Sequence, residues 1–167
     1  MGPRLLFICL FIFSFSYSQK ESSPYIIVLG TIQDAGSPHM GCEKSCCISL
    51  FKNPDPKRKV VSLGLVDPSE KKYWLIEASP DFITQCRDLK TISKFEHAKS
   101  PDGIFLTHAH IGHYTGLMYL GKESYNSRDV PVFAMTRMKG FLIQNGPWSQ
   151  LFKINNIKIN NINHQEE

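Results

Sequence analysis

The chain has 167 residues, of which 42% are hydrophobic and 20% charged, and its formal net charge is +4. This length suits one small domain, and the sequence contains no repeats and no low-complexity tracts. The basic residues fall in short scattered runs, such as 57–59 and 71–72, without interleaved aromatic side chains. We therefore expect no nucleic-acid partner.

The first eighteen residues have the features of a signal peptide. Arg4 supplies a short positive region, and the apolar stretch 5–15 is too short to cross a membrane as a mature helix. Ser16-Tyr17-Ser18 offers an acceptable cleavage pattern before Gln19. The prediction is a signal peptide over 1–18, favoured over a membrane anchor, followed by a domain over 19–167. We expect a secreted or periplasmic protein without lasting membrane insertion.

A strand over 25–29 leads into a long loop, 30–45, that carries Asp34 and His39. Both side chains are candidates for approaching a metal ion. Turn geometry is the favoured explanation for this loop, because aspartate and glycine most often serve turns.

Four cysteines remain after the signal peptide, and three of them lie in or just after this loop. Adjacent Cys46 and Cys47 would rarely pair with each other, since their side chains diverge. Cys42 with Cys46 or Cys47, joined by Cys86, is therefore compatible with a thiolate metal site or with one disulfide plus free thiols. The sequence leaves a structural metal and a disulfide as equal alternatives.

The middle and end of the chain alternate strands with helices, which predicts an α/β layered sheet with parallel crossovers. Asp81 is a candidate helix N-cap, and so is Thr115. The Asn/Ile alternation over 155–163 is typical of an edge or connecting strand. The predicted strands are 60–66, 73–76, 104–106 and 132–135, and the predicted helices are 80–89, 115–123 and 138–143.

Three histidines directly follow the apolar run Gly103-Ile104-Phe105-Leu106. Such a run predicts a buried strand, so the histidines lie in the loop at its carboxyl end. His108 and His110 point the same way in an extended loop, and His113 returns to them if the chain turns at Gly112. Neutral imidazole is a common zinc ligand. The cluster His108, His110 and His113 is therefore predicted to bind metal.

This motif, Thr107-His108-Ala109-His110-Ile111-Gly112-His113, resembles the HxHxDH signature of the metallo-β-lactamase fold. The segments Asp34-Ala35-Gly36-Ser37-Pro38 and Glu77-Ala78-Ser79-Pro80-Asp81 are similar to the branch that contains pyrroloquinoline quinone biosynthesis protein B. The resemblance implies that the chain is the N-terminal half of an αββα sandwich, with the C-terminal half missing. In that fold the second half brings further ligands. His164, the only later histidine, lies in a polar tail and is assigned no role.

The resemblance also implies a function, a metal-dependent hydrolase that acts on a small-molecule substrate. It implies one zinc ion as the cofactor, with iron and manganese as alternatives. Gly112 stands where the family usually has an aspartate ligand, so a second metal would be weak, and Gly112→Asp is predicted to restore it. In this branch the cysteine-bearing loop can also hold a structural zinc. The alternative function is a non-catalytic metal-binding or interaction module, a truncated or degenerate half-fold. A half sandwich exposes one sheet face, so we expect self-association.

Overall fold

The computed structural model describes residues 23–95 and 99–164. The signal-peptide prediction over 1–18 lies outside these residues. No helix in the two described segments is long and apolar enough to cross a membrane.

The described residues form one six-stranded sheet with helices between the strands. The strands are β1 (Tyr25–Gly30), β2 (Ser62–Asp67), β3 (Lys72–Ile76), β4 (Gly103–Leu106), β5 (Val130–Met135) and β6 (Ile157–Ile162). The helices are α1 (Ser45–Lys52), α2 (Phe82–Ser93), α3 (Thr136–Gln144) and α4 (Trp148–Lys153), with two 3-10 helices at Ile111–His113 and Thr115–Leu120.

The strands lie in the sheet in the same order as in the chain. β1, β2 and β3 are antiparallel neighbours, and β3, β4, β5 and β6 are parallel. Parallel neighbours require crossovers, which α2, the 3-10 helices and the α3–α4 pair provide. The predicted α/β layered sheet is confirmed, and the segment 155–163 forms β6 at an edge of this sheet.

The two faces of the sheet differ sharply in burial. One face packs against the helices through fully buried side chains such as Leu75, Ile104 and Val132, which meet Leu89 and Leu142. Apolar residues also occupy the opposite face, but they are only half-buried or exposed. This open face consists of Ile26, Val28, Leu63, Leu65, Trp74, Ile76, Phe105, Phe133 and Met135. The described residues therefore leave one apolar face of the sheet uncovered.

Several predicted element boundaries were wrong. The helix predicted over 115–123 is a 3-10 helix over Thr115–Leu120, and the Thr115 hydroxyl is buried without a hydrogen-bond partner instead of capping it. Asp81 occupies the N-cap position of α2 without a side-chain cap, because its carboxylate accepts the Val60 N–H at 2.7 Å. Val60 lies before β2, since it pairs with Ile32 from the first loop.

Two helices were missed. α1 begins at Ser45 inside a cysteine-rich segment whose periodicity is weak, and α4 begins directly after Pro147. A Gly-Pro pair usually indicates the end of a regular element, yet proline is also common at the start of a helix. Packing of Trp148 and Leu151 into the core then stabilises α4.

Candidate metal centre

The three histidines meet at the carboxyl end of β4, as predicted. The His108 ring centroid lies 4.6 Å from that of His110 and 4.1 Å from that of His113, while the centroids of His110 and His113 are 6.5 Å apart. The 3-10 turn Ile111–His113 brings the chain back, with the His113 N–H donating to the His110 carbonyl at 2.9 Å. His110 is exposed, whereas His113 is buried.

The loop that follows β3 holds this turn in place. The Ala78 N–H donates to the His113 carbonyl at 2.9 Å, and the Gly116 N–H donates to the Ala78 carbonyl at 2.8 Å. A Cβ at Gly116 would lie 2.3 Å from the Ser79 carbonyl oxygen, so only glycine permits this close approach. The two loops are therefore locked together under the histidines.

Glu77 is a member of this site that was not predicted as a ligand. It is 5% exposed, and its backbone φ is 77°, a left-handed value that costs a non-glycine residue about 1–3 kcal/mol. Donor atoms of Glu77, His108 and His113 lie within 4.8 Å of one another. Strained, buried carboxylates cluster at functional sites, so the strain at Glu77 is consistent with a role in the centre.

A hydrogen-bond chain fixes the His108 ring. The Thr107 hydroxyl donates its single hydrogen to Glu77 Oε1, so it can only accept from His108 Nδ1, which lies 2.7 Å away. His108 therefore carries its proton on Nδ1 and leaves Nε2 free as a ligand. This is the carboxylate support that metal-binding histidines commonly receive.

His113 lies between two carboxylates. Its Nδ1 faces Glu77 Oε2 at 3.5 Å, and its Nε2 lies 3.1 Å from Asp34 Oδ1. Within the described chain, neither Glu77 Oε2 nor His113 Nδ1 has a hydrogen-bond partner, although both are buried. Two buried polar atoms without hydrogen-bond partners, beside the imidazoles of His108 and His113, fit a bound cation better than an empty polar pocket.

The Asp34 side chain, in the first loop, lies beside the histidines. The sequence had favoured turn geometry as the explanation for this aspartate. Its Oδ2 lies 3.7 Å from His110 Nδ1. Partial burial alone would raise the pKa of the Asp34 carboxyl, but the hydrogen bond to His113 and the charges of His113 and His110 outweigh it and lower that pKa. The favoured explanation was thus incomplete. His39 stays outside the cluster, with its Nδ1 against the Met40 carbonyl at 2.8 Å.

A groove of about 700 Å³ opens beside His108. Its lining includes Arg137 and Thr136 at the start of α3, together with His164. His164, assigned no role from the sequence, therefore borders the same groove as the cluster. A second cavity of about 440 Å³ lies on the helical side, lined by Cys86, Tyr73 and Arg87, and contains none of the histidines.

The cysteines form a separate group. The sulfurs of Cys42, Cys46 and Cys47 lie within 4.8 Å of one another, and all the described cysteines are free thiols. Hydrogen bonds from the Cys47 thiol and the Lys44 N–H lower the pKa of Cys42, and the same bond to Cys42 raises the pKa of Cys47. The suggested participation of Cys86 is wrong, because Cys86 packs against the core on α2, where burial raises its pKa to about 12.

Comparisons with known proteins agree with this fold. The family described as "Beta-lactamase superfamily domain" matches residues 72–167. Zn²⁺-bound PqqB from Methylobacterium extorquens superposes with a TM-score of 0.62 at 23% identity, covering 84% of this chain and 50% of that structure. A diphosphatase from the PhnP family gives 0.58 at 23% identity, covering 85% and 51%. Both likenesses establish the fold, which is the metallo-β-lactamase fold.

A curated relative is similar over a shorter region. It is an octanoyltransferase from Porphyromonas gingivalis, 34% identical over 108 residues, which cover 65% of this chain and 20% of the relative. The chain therefore spans about a fifth of the length of that relative and about half of each solved structure.

Proposed function

This chain belongs to the family described as "Beta-lactamase superfamily domain", and we propose that it supplies the metal centre of an exported metal-dependent hydrolase. The observation that carries the proposal is the convergence of Glu77, at the carboxyl end of β3, with His108 and His113, which follow β4. His110 lies beside His108, with 4.6 Å between the ring centroids. The proposed ion is a single zinc, since imidazole nitrogens and carboxylate oxygens are its usual donors.

A zinc ion bound here would supply Lewis acidity and lower the pKa of a coordinated water from ~15.7 to roughly 7. The protein's own part is to hold the ligands. Glu77 and Thr107 keep the His108 proton on Nδ1, and Glu77 faces the Nδ1 of His113. The His108 ring then presents Nε2 as a lone pair.

The adjoining groove supports a substrate that carries an anionic group. Arg137 lies in its lining, and none of the described residues that line it is acidic. Guanidinium pairs well with phosphate and carboxylate, so an acidic ester or phosphodiester fits this groove better than a neutral substrate.

Hydrolysis is tested on the protein expressed from its complete natural coding sequence, with and without zinc. A phosphodiester, a neutral ester and nitrocefin form the panel, and His110→Ala is the paired variant. We expect zinc-dependent turnover of the phosphodiester that the variant loses, and a mature protein that begins at Gln19. Metal binding without turnover of any panel member would instead favour the second function, a non-catalytic metal-binding or interaction module.

A second metal site is proposed at Cys42, Cys46 and Cys47, as the alternative to a disulfide there. The thiol-to-thiol hydrogen bonding and the lowered pKa of Cys42 support it, since thiolates are the form that binds zinc. We expect Cys42→Ser/Cys46→Ser/Cys47→Ser to lose about one zinc equivalent, and Cys86→Ser to lose none. Intact-protein mass spectrometry under non-reducing conditions is the check, because loss of a pair of hydrogens in the wild type would establish the disulfide instead.

A further inference from the structure

We infer that Asp34, from the first loop, is a ligand of the metal centre and occupies the space that Gly112 leaves open. The inference rests on the proposed metal centre and adds a residue to it. Two independent contacts carry it: the position of the Asp34 carboxylate between two histidines, and the packing of the Asp34 backbone on Gly112.

The Asp34 carboxylate contacts the ring nitrogens of both histidines. Its Oδ1 lies 3.1 Å from His113 Nε2, and its Oδ2 lies 3.7 Å from His110 Nδ1. Two ligand atoms on one zinc lie about 3–3.5 Å apart, since each is about 2.0–2.2 Å from the ion. The separation of Asp34 from His113 is therefore that of neighbouring ligands.

The His113 ring explains why a cation belongs between these groups. A neutral imidazole carries one proton, while Glu77 Oε2 and Asp34 Oδ1 face its two nitrogens. That single proton can lie toward only one of the two carboxylates, so the other nitrogen would present its lone pair to a carboxylate and repel it. A metal ion bound to both Nε2 and Asp34 converts this repulsion into attraction.

Gly112 and Asp34 are spatially complementary. A Cβ at position 112 would lie 2.5 Å from Asp34 Cβ and 2.7 Å from Asp34 Cα, closer than real Cβ contacts allow. A carboxylate from position 112 would thus start almost where that of Asp34 starts. The earlier expectation that Gly112→Asp adds a ligand is corrected: the new side chain collides with the Asp34 backbone.

The first loop is built to hold Asp34 there. The Gly36 N–H donates to the Gln33 carbonyl at 2.9 Å, and the Gln33 amide donates to the Gly36 carbonyl at 3.1 Å, which closes a tight turn around Asp34. Gly36 has φ +81°, a value that favours glycine. Ile32, just before the turn, donates to the Lys59 carbonyl at 2.9 Å and anchors the loop beside β2.

The test is a carboxylate exchange measured by zinc affinity, using competition with a chromogenic chelator, and by the absorption spectrum of the Co²⁺-loaded protein. We expect Asp34→Ala and Asp34→Asn to weaken zinc binding by about 10–100-fold and to alter the Co²⁺ spectrum. Gly112→Asp should also weaken zinc binding, because its side chain collides with the Asp34 backbone and displaces the first loop. Asp55→Ala, which removes the same charge from another exposed loop, should bind zinc as the wild type does.

The outcomes separate this inference from the proposed function. If the wild type binds no zinc at the histidines, the proposed metal centre fails. If the wild type binds zinc and Asp34→Asn leaves both the affinity and the Co²⁺ spectrum unchanged while lowering Tm, Asp34 is only an ion-pair partner of His113 and the inference is overturned.

Discussion

Replacing His108 and His110 together with alanine is expected to remove about one equivalent of zinc from the purified protein. His108 offers a free Nε2 and His110 an exposed ring, so their loss leaves only His113 of the three imidazoles. Elemental analysis of the variant beside the wild type measures the difference. Taking the difference cancels any zinc held by the cysteines, because both proteins keep Cys42, Cys46 and Cys47.

The matched control is His164→Ala, which removes an imidazole from the groove but not from the cluster. It should retain the full metal content. Equal zinc in the wild type and in the double histidine variant would remove the proposed centre, whatever the activity measurements show.

The second large expected effect is self-association of residues 19–167, the chain without its predicted signal peptide. Val28 and Ile26 are 63% and 62% exposed on the open face, which continues through Trp74 and Phe105 to Phe133. Contiguous apolar faces of more than a few hundred Å² are rare on soluble monomers. β1 and β6 are in addition the edge strands of the described sheet, and unpaired edges favour further pairing. We expect dimers or larger species by size-exclusion chromatography with light scattering.

Val28→Lys places a charge in the exposed part of this face and should shift the distribution toward monomer. Ile83→Lys is its control, since Ile83 is comparably exposed, at 57%, but lies on α2, which covers the other face. A wild-type monomer with a sharp thermal transition would contradict the expectation and show that these residues close their own core. An equal effect of both lysine variants would show that the open face is not the site of association.

Local patterns in the sequence were enough for the sheet and for the histidine cluster. Gly103-Ile104-Phe105-Leu106 is a short apolar run followed by a polar loop. This change from apolar to polar residues is enough to predict a buried strand with candidate ligands at its carboxyl end. The Asn/Ile alternation likewise predicted β6. The uncovered face followed from the resemblance to half of a two-sheet fold.

The two carboxylates of the centre depended on tertiary structure. Asp34 and His113 are 79 residues apart, and Glu77 and Thr107 are 30 apart, so no local period relates them. The grouping of the cysteines also depended on tertiary structure, since Cys86 packs against the core on α2, whereas Cys42, Cys46 and Cys47 lie together in a separate group. By itself the sequence determined which residue types are available and which strand presents the histidines. Only the packing of the first loop on Gly112 decided where the Asp34 carboxylate lies. That contact requires both the absence of a side chain at Gly112 and the turn that surrounds Asp34 in the first loop.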